Sequence, residues 1–461
     1  MYTKLLSPLL GNRIQPAQKF PQIRLKAKEH YQLTQRRRGF LSLSDFQDDN
    51  VDFIQHEYQP GQILEVRRED QKLLALGAFE PQLGRVDLFH TASQTPSAML
   101  PVISEDFFTA RLRDLRERRH QDLQQCRFTN TYRMVNGAVD GFPGLFIDQF
   151  SDSFLRVIAT SALAERLLPA VSEFLLEHRA EELLLDSPTL GDRARLSFTR
   201  PTLTLPNIYV EGGVQLPWPP SKANRQPTLE NRLLINPAHR RARHLLREIS
   251  AGKRVLCFND RSGAAALNAV MTAKQVVVVG ADHAALEWTR SALLFNHGAP
   301  IFEQCELIQL QALKELLHST FSLGMPPPEV VFVEHDSNSL ATAQQWREFL
   351  IGMMSKGLLC VGTILITAQE GHPLGVADLS ARREQRFQQE SPDSTVSFGD
   401  MSPLIMSAAE ACKLQARVLR TFSSSWDFPT FPVDDPSCFS HVCLIEEPSV
   451  NNLHEVDKGK D

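Results

Sequence analysis

The sequence predicts an α/β protein in three parts: a small β-barrel, a mixed α/β segment and a doubly wound parallel sheet. Three observations predict it. Residues 20–95 hold short apolar runs separated by polar turns, the spacing of a small barrel. A proline-rich stretch, LPWPPSKANRQP (216–227), marks a boundary. Beyond Asn231, near-continuous apolar strands alternate with helical patterns, as in a parallel sheet covered on both faces. The chain has 461 residues, which at roughly 150 per domain suggests about three domains. They are expected at 20–100, 101–220 and 228–447, with 1–19 and the polar tail 448–461 disordered.

In the first part, IRLKA, the pair GQILEVRRED and LLALGAF, and RVDLF read as strands, with Gln59-Pro60-Gly61-Gln62 as a turn. Ile103 to Arg127 reads as a charged helix, with Phe107, Phe108, Leu112 and Leu115 at helical spacing. Tyr132 to Phe150, YRMVNGAVDGFPGLFIDQF, reads as a β-hairpin. Its turn is set by Gly141 and Gly144, which can take positive φ, and by Pro143, whose ring holds its own φ. A strand at Phe154–Ala159, a helix at Ala162–His178 and the strand IYVEGGVQL complete the middle part. The third part has strands at RVLCF (254–258), QVVVV (275–279), PIFEQ (300–304), EVVFV (329–333), GTILIT (362–367) and HVCLIE (441–446). Helices are expected at 238–250, 264–272, 284–296, 306–318 and 340–355.

Hydrophobic content of 42% and charged content of 22% are those of a globular chain, and no apolar run approaches the ~20 residues that cross a bilayer. Seven cysteines, at 126, 257, 305, 360, 412, 438 and 443, form no CxxC pair, so no metal site or disulfide framework is indicated. Dispersed, odd-numbered thiols fit a reducing compartment. The net charge of −5 means that a nucleic-acid partner would have to be met by local basic patches. Candidates are Arg36-Arg37-Arg38, Arg111 to Arg119, Arg240 to Arg247, and Arg382-Arg383 with Arg386. The first 28 residues carry basic but no acidic side chains. That fits either an organelle presequence or a basic first strand.

Three segments together carry a resemblance. Tyr132 to Phe150 is similar to a "R-L-V-x-G-E-x-D-G-L-P-G-L-x-V-D" pattern, with Asp140, Gly141, Pro143, Gly144 and Asp148 in register and Ala138 at the glutamate. ALEWTRSALLFN (285–296) resembles "A-L-E-x-A-R-x-N-x-x-L-N", and PTFPVDDPSCFSHVCLIE resembles a "P-x-x-P-x-x-x-x-Y-L-K-G-L-L-L" closing strand. All three patterns are those of the PUA-domain-containing ribosomal RNA cytosine-C5 methyltransferases. The resemblance implies a PUA-like RNA-binding barrel first, a small mixed domain second and a Rossmann-like class I methyltransferase domain third. It implies S-adenosyl-L-methionine as cofactor, RNA (ribosomal in the family) as partner, no membrane and a cytoplasmic setting, with a mitochondrion or other organelle as the alternative. It also allows a homodimer.

In an open α/β sheet the ligand sits beyond the carboxyl ends of the strands. After the first strand, Asp260 and Gly263 are the donor-binding candidates, with Arg261 between them as an unfavourable cation beside a sulfonium. After the second, the family's ribose carboxylate falls at Gly280, and Asp282 is the substitute. After the third, Cys305 or Glu306 falls at the adenine-reading position. After the fourth, Glu334-His335-Asp336 replaces the family's Asp-Pro-Pro, which puts Glu334 and Asp336 on the substrate side. The family's thiolate, needed to activate cytosine C5 by addition at C6, is missing: Thr367-Ala368-Gln369-Glu370 stands there. Cys257, Cys305 and Cys360 are poorly placed to replace it, so the catalytic residue is unassigned. Upstream, Asn236 replaces an aspartate, while Arg240 and Arg241, like Arg36, Arg37 and Arg38, could contact phosphate. Two readings stay open. One is an RNA methyltransferase of this family with altered cofactor and nucleophile motifs. The other is a catalytically silent RNA-binding or scaffold relative. A third, an enzyme with a different nucleotide cofactor, has no G-x-G-x-x-G or Walker-type loop behind it.

Overall fold

The structure is a computed structural model that describes residues 20–26, 39–46, 58–81, 84–91, 102–125, 129–150, 154–178, 182–186, 197–199, 208–217, 235–260, 262–280, 282–310, 326–334, 343–368, 401–423 and 439–448. The chain divides into two compact units, the second beginning at Pro206.

The first unit opens with β1 (Gln22–Arg24), β2 (Phe40–Ser42), β3 (Ile63–Arg67), β4 (Leu73–Glu80) and β5 (Arg85–Thr91). They form one sheet in the order β1-β3-β4-β5-β2. A Leu25–Phe46 bridge joins its two edges, and Lys26 N–H donates to the Asp45 carbonyl at 2.9 Å. Strand side chains alternate between faces, and here both faces are buried. Leu64, Val66, Ala75 and Phe79 fill the first core, whereas Ile63, Leu76 and Ala78 pack with the next segment. That second core is completed by α1 (Glu105–Gln125), α2 (Ala162–Glu177) and a sheet in the order β10-β9-β8-β7-β6. Its strands are β6 (Thr131–Asn136), β7 (Leu145–Phe150), β8 (Phe154–Ala159), β9 (Glu182–Asp186) and β10 (Ser197–Thr199). The two parts are also tied by polar contacts. Glu80 accepts the Ala162 N–H at 2.8 Å at the start of α2, and Arg166 donates to the Gly61 carbonyl at 3.1 Å.

The Tyr132–Phe150 segment forms the expected hairpin, and its unusual composition has a mechanical cause. Arg133 and Asp148, both buried, make a two-pronged ion pair at 2.7 and 3.1 Å. Asp140 accepts two bonds from Arg119 at 3.1 Å and one from the Asn136 N–H at 2.7 Å. Gly141 has φ +80°, and a Cβ there would land on the Arg111 guanidinium. That guanidinium in turn bonds the Phe89 carbonyl of β5 at 2.6 Å. The string is a joint that locks turn, helix and the first sheet together.

The second unit contains the hairpin β11 (Ile208–Glu211) and β12 (Val214–Pro217), then α3 (Arg240–Ile249), β13 (Arg254–Phe258), α4 (Ala264–Val270), β14 (Gln275–Gly280), α5 (His283–His297) and β15 (Cys305–Gln309). It continues through β16 (Val330–Glu334), α6 (Ala343–Ser355), β17 (Ile364–Ala368), α7 (Ser402–Ala411), β18 (Gln415–Ser423) and β19 (Phe439–Glu446). The seven-stranded order is β15-β14-β13-β16-β17-β19-β18. β13 to β17 are parallel, and β19 runs antiparallel to both neighbours. The expected single strand IYVEGGVQL is two strands, because Gly212 and Gly213 take φ of +58° and +85° and reverse the chain. This hairpin lies upstream of the proline-rich stretch yet packs in the second unit: Asn296 of α5 bonds both the N–H and the carbonyl of Gln215.

The expected third strand at 300–304 is corrected to Cys305–Gln309. Residues Ala299–Glu303 form a 3-10 helix instead, started by Gly298 at φ +75° and by Pro300, whose missing N–H is harmless in a first turn. The helix expected over 306–318 is likewise corrected where it overlaps β15, and residues 311–318 lie outside the described ones. α7 and β18 had no counterpart in the sequence reading. No helix among the described residues is long and apolar enough to cross a membrane.

Candidate functional site

The order of strands reverses at β13: the chain moves outward to β14 and β15, then crosses back to place β16 on the other side. The carboxyl ends of β13, β14 and β16 therefore border the crevice in which such sheets hold ligands. The residues there are Asn259, Asp260 and Gly263 after β13, Asp282 after β14, and Glu334 ending β16. The turn after β13 is sharp. Asn259 takes φ +58°, which asparagine tolerates better than most residues. Its side-chain amide donates to the Glu334 carbonyl at 3.3 Å and its N–H to the Val279 carbonyl at 2.9 Å. One asparagine thus ties three strand ends together.

Gly263 has φ +70°, and a Cβ on it would come within 2.9 Å of Thr289 Cα and Oγ1 on α5. Asp260 is buried at 3% exposure. Its carboxyl accepts the Ala266 N–H at 2.7 Å and the Ser262 hydroxyl at 3.3 Å, with a further bond from the Ala265 backbone. Those bonds turn it towards α4. Burial, then the neighbouring Glu334 charge, push its pKa up to about 6. An unfolded aspartate titrates near 3.9. Between roughly pH 4 and pH 6 the folded chain therefore keeps a proton that the unfolded chain has lost. Its contribution to stability is fully present below about pH 4 and is lost as pH rises through about 6. Asp260→Asn is expected to remove that decline. Urea unfolding at pH 4, 5, 6 and 7, followed by Trp288 and Trp346 fluorescence, measures it; a decline unchanged in the variant would assign it to another group.

Asp282 is exposed and begins α5, its Oδ1 accepting the Ala284 and Ala285 N–H groups at 2.9 and 3.3 Å. This cap uses one oxygen only, so Oδ2 is not committed by it. Next to it, His283 Nδ1 and Gln309 Oε1 lie 2.9 Å apart and link the ends of β14 and β15.

Glu334 is not an open substrate-facing carboxylate. It is buried, 2.6 Å from His239 Nδ1 and 3.5 Å from an Arg243 guanidinium nitrogen. Arg243 is fully buried and grips Glu211 of β11 with two bonds, at 2.7 and 2.6 Å, while donating to the Asn236 carbonyl at 2.8 Å. Burial alone would lower its pKa, but Glu211 and then Glu334 outweigh it and the net shift is upward. The result is a closed, buried polar cluster of Glu211, Arg243, Glu334 and His239.

Several expectations are corrected by this geometry. Glu306 lies at the amino end of β15, the edge opposite the crevice, and cannot read a ligand there. Cys305 begins the same strand, and burial raises its thiol to about 12. Cys257 lies inside β13, with its pKa raised well above the usual thiol range, first by burial. Cys360 precedes β17, Cys412 follows α7 and Cys443 is inside β19, so no described cysteine stands at the carboxyl edge. Arg240 is buried at 4% exposure and presents no open face to phosphate, whereas Arg241 is exposed. Arg36, Arg37, Arg38, Arg261, His335, Asp336, Gln369 and Glu370 lie outside the described residues. The sequence reading missed Asn259, His239 and Glu211, and took Arg243 only as part of the basic patch Arg240 to Arg247, whereas it is paired inward with Glu211. The four-residue spacing of His239 and Arg243, one face of a helix, was a usable signal; Glu211 had none.

Two solved structures share this architecture. One, from Streptococcus mutans and provisionally named a SAM-dependent methyltransferase, aligns over 92% of this chain and 100% of its own, with a TM-score of 0.63 at 13% identity. The other, provisionally named a methyltransferase and crystallised with SAH, covers the same shares with a TM-score of 0.64 at 13% identity. The chain has the fold of the SAM-dependent methyltransferases. By sequence it is 27% identical over 334 residues to "Ribosomal RNA large subunit methyltransferase I" of Escherichia coli O127:H6, a match that spans 67% of this chain and 76% of that protein. A second relative, of the same name and from Erwinia tasmaniensis, is 26% identical over 329 residues, 68% of this chain and 78% of that protein. No protein-family model matches the chain.

Proposed function

We propose that the chain acts on ribosomal RNA as an S-adenosylmethionine-binding protein of the methyltransferase class, through a donor crevice rebuilt relative to its homologues. The observation that carries the reading is the turn from Asn259 to Ala264. It keeps the left-handed glycine at the switch point of the sheet and brings the backbone against α5, as a donor-binding turn requires. The ribose side of the crevice fits the cofactor: Asp282 keeps an oxygen outside its helix cap that can accept from ribose hydroxyls. The amine side fits less well, because the Asp260 carboxyl is spent within the protein. When bound, the donor supplies an electrophilic methyl group. What this chain's residues do is hold the ribose at Asp282, bring backbone close at Gly263 and keep Glu334 and His239 fixed behind the acceptor. No described cysteine supports covalent activation of cytosine C5, so the proposal does not include that step. Exposed Arg241 and the amino-terminal barrel are the proposed RNA contacts.

A silent RNA-binding relative is the second reading, favoured by the inward-turned Asp260 and Glu334. Calorimetric titration of the full chain with S-adenosylmethionine and S-adenosylhomocysteine separates the two. Micromolar binding is expected, weakened at least tenfold in Asp282→Asn, which removes the ribose acceptor but retains a capping oxygen. Absence of heat at millimolar ligand would sink the donor-binding reading.

A further inference from the structure

We propose that a groove between α1 and the end of α2 takes a phosphodiester of the RNA backbone, an inference that rests on the RNA reading above. The cavity measures about 520 Å³, within the roughly 300–1,000 Å³ typical of ligand clefts. Arg113, Arg116, Glu117 and His120 line it from α1, at the three- and four-residue spacing that stacks side chains along one helix face. His178, which ends α2, lines it from the opposite side. Two guanidinium groups face a single carboxylate in this lining.

The wall shapes what can bind. Phe174 is buried beside the groove, with the Arg113 guanidinium carbon 6.0 Å from its ring centroid and the His178 ring, tilted by 31°, at 4.1 Å between centroids. Because it is covered, Phe174 offers no face to an unstacked base. The ligand chemistry is therefore that of a phosphate, read by charge and fork geometry without regard to sequence. His178 Nδ1 lies 2.7 Å from the Phe174 carbonyl, which can only accept, so Nδ1 donates there and the guanidinium groups are the donors to the phosphate. The last carbonyls of α2 put partial negative charge at this end of the helix. Arg116 offsets it by donating to the His178 carbonyl at 3.4 Å, which uses one of its five N–H donors.

The test is fluorescence anisotropy of the full chain with a labelled ribosomal RNA fragment across a series of KCl concentrations. In the double variant Arg113→Gln/Arg116→Gln, the slope of log affinity against log salt is expected to become shallower by about 0.7–1, the share of one phosphate. The Arg113→Lys/Arg116→Lys protein should keep most of the slope, since an ammonium still neutralises phosphate. Arg290→Gln/Arg417→Gln removes the same two charges from exposed positions outside the groove and should leave the slope near that of the wild type. Arg113 is exposed and Arg116 is half-buried against the end of α2, so matched thermal melts serve as the folding control. A wild type that binds RNA with a slope unchanged in the glutamine pair overturns the groove alone, as does an equal change in the exposed-site pair. A wild type that binds no RNA overturns the groove and the RNA reading together.

Discussion

Arg243→Met is expected to lower the stability of the second unit by about 3–5 kcal/mol, the usual cost of leaving a buried charge without its partner. The side chains of Arg243 and Glu211 are both 0% exposed, and the guanidinium also stands 3.5 Å from Glu334. Methionine fills the volume but leaves two buried carboxylates facing each other across a medium that screens poorly. Urea unfolding read by Trp288 and Trp346, both buried in this unit, measures the change. Two comparisons give the number meaning. Arg417 pairs with Glu446 in the same unit but is 58% exposed, and Arg417→Met should cost little. Glu211→Met added to Arg243→Met should recover part of the loss, because the orphaned charge goes with it. A loss for Arg243→Met as small as that for Arg417→Met would mean that water reaches the cluster and that it does not hold the hairpin to β16.

Gly263→Ala is expected to cost about 2–5 kcal/mol, from roughly 1–2 for a left-handed non-glycine residue and roughly 1–3 for overpacking. The overpacking has a definite target, since one of the atoms 2.9 Å from the added Cβ is Thr289 Cα, a backbone atom within a helix. Gly252 supplies the control. It has the same φ of +70°, but nothing lies within 4 Å of its Cβ position. Gly252→Ala should therefore show the conformational cost alone. Thermal or urea unfolding of the two variants side by side isolates the packing contribution. Equal losses would mean that α5 yields, and that the close approach at the crevice is not what selects glycine.

Much of the second unit was legible because its central strands are buried on both faces. RVLCF, QVVVV and VVFV are almost uninterrupted apolar runs, and they lie in the middle of the sheet. The edges were harder to see. β15 is half exposed, so CELIQ carries no continuous apolar signal, while the preceding PIFE carries one and folds as a 3-10 turn. That one displacement put Glu306 and Cys305 at the wrong end of their strand. β18, at the other edge, alternates polar and apolar residues and was missed for the same reason.

The local sequence by itself determined the α/β alternation and the placing of Gly263 in the turn after β13 and of Asp282 after β14. These follow from backbone sterics and from solvent exclusion along short stretches. It could not determine which charged groups face inward. Arg240, Arg241 and Arg243 look alike on the chain, yet the first is buried, the second exposed and the third locked to a glutamate 32 residues away. Nor could it show that Asp260, placed to greet a ligand, spends its oxygens on α4. Burying a charge is tolerable only where a partner of opposite sign or a set of donors meets it. Those partners come from Glu211, Glu334 and the turn before α4, which the tertiary fold alone brings to one place.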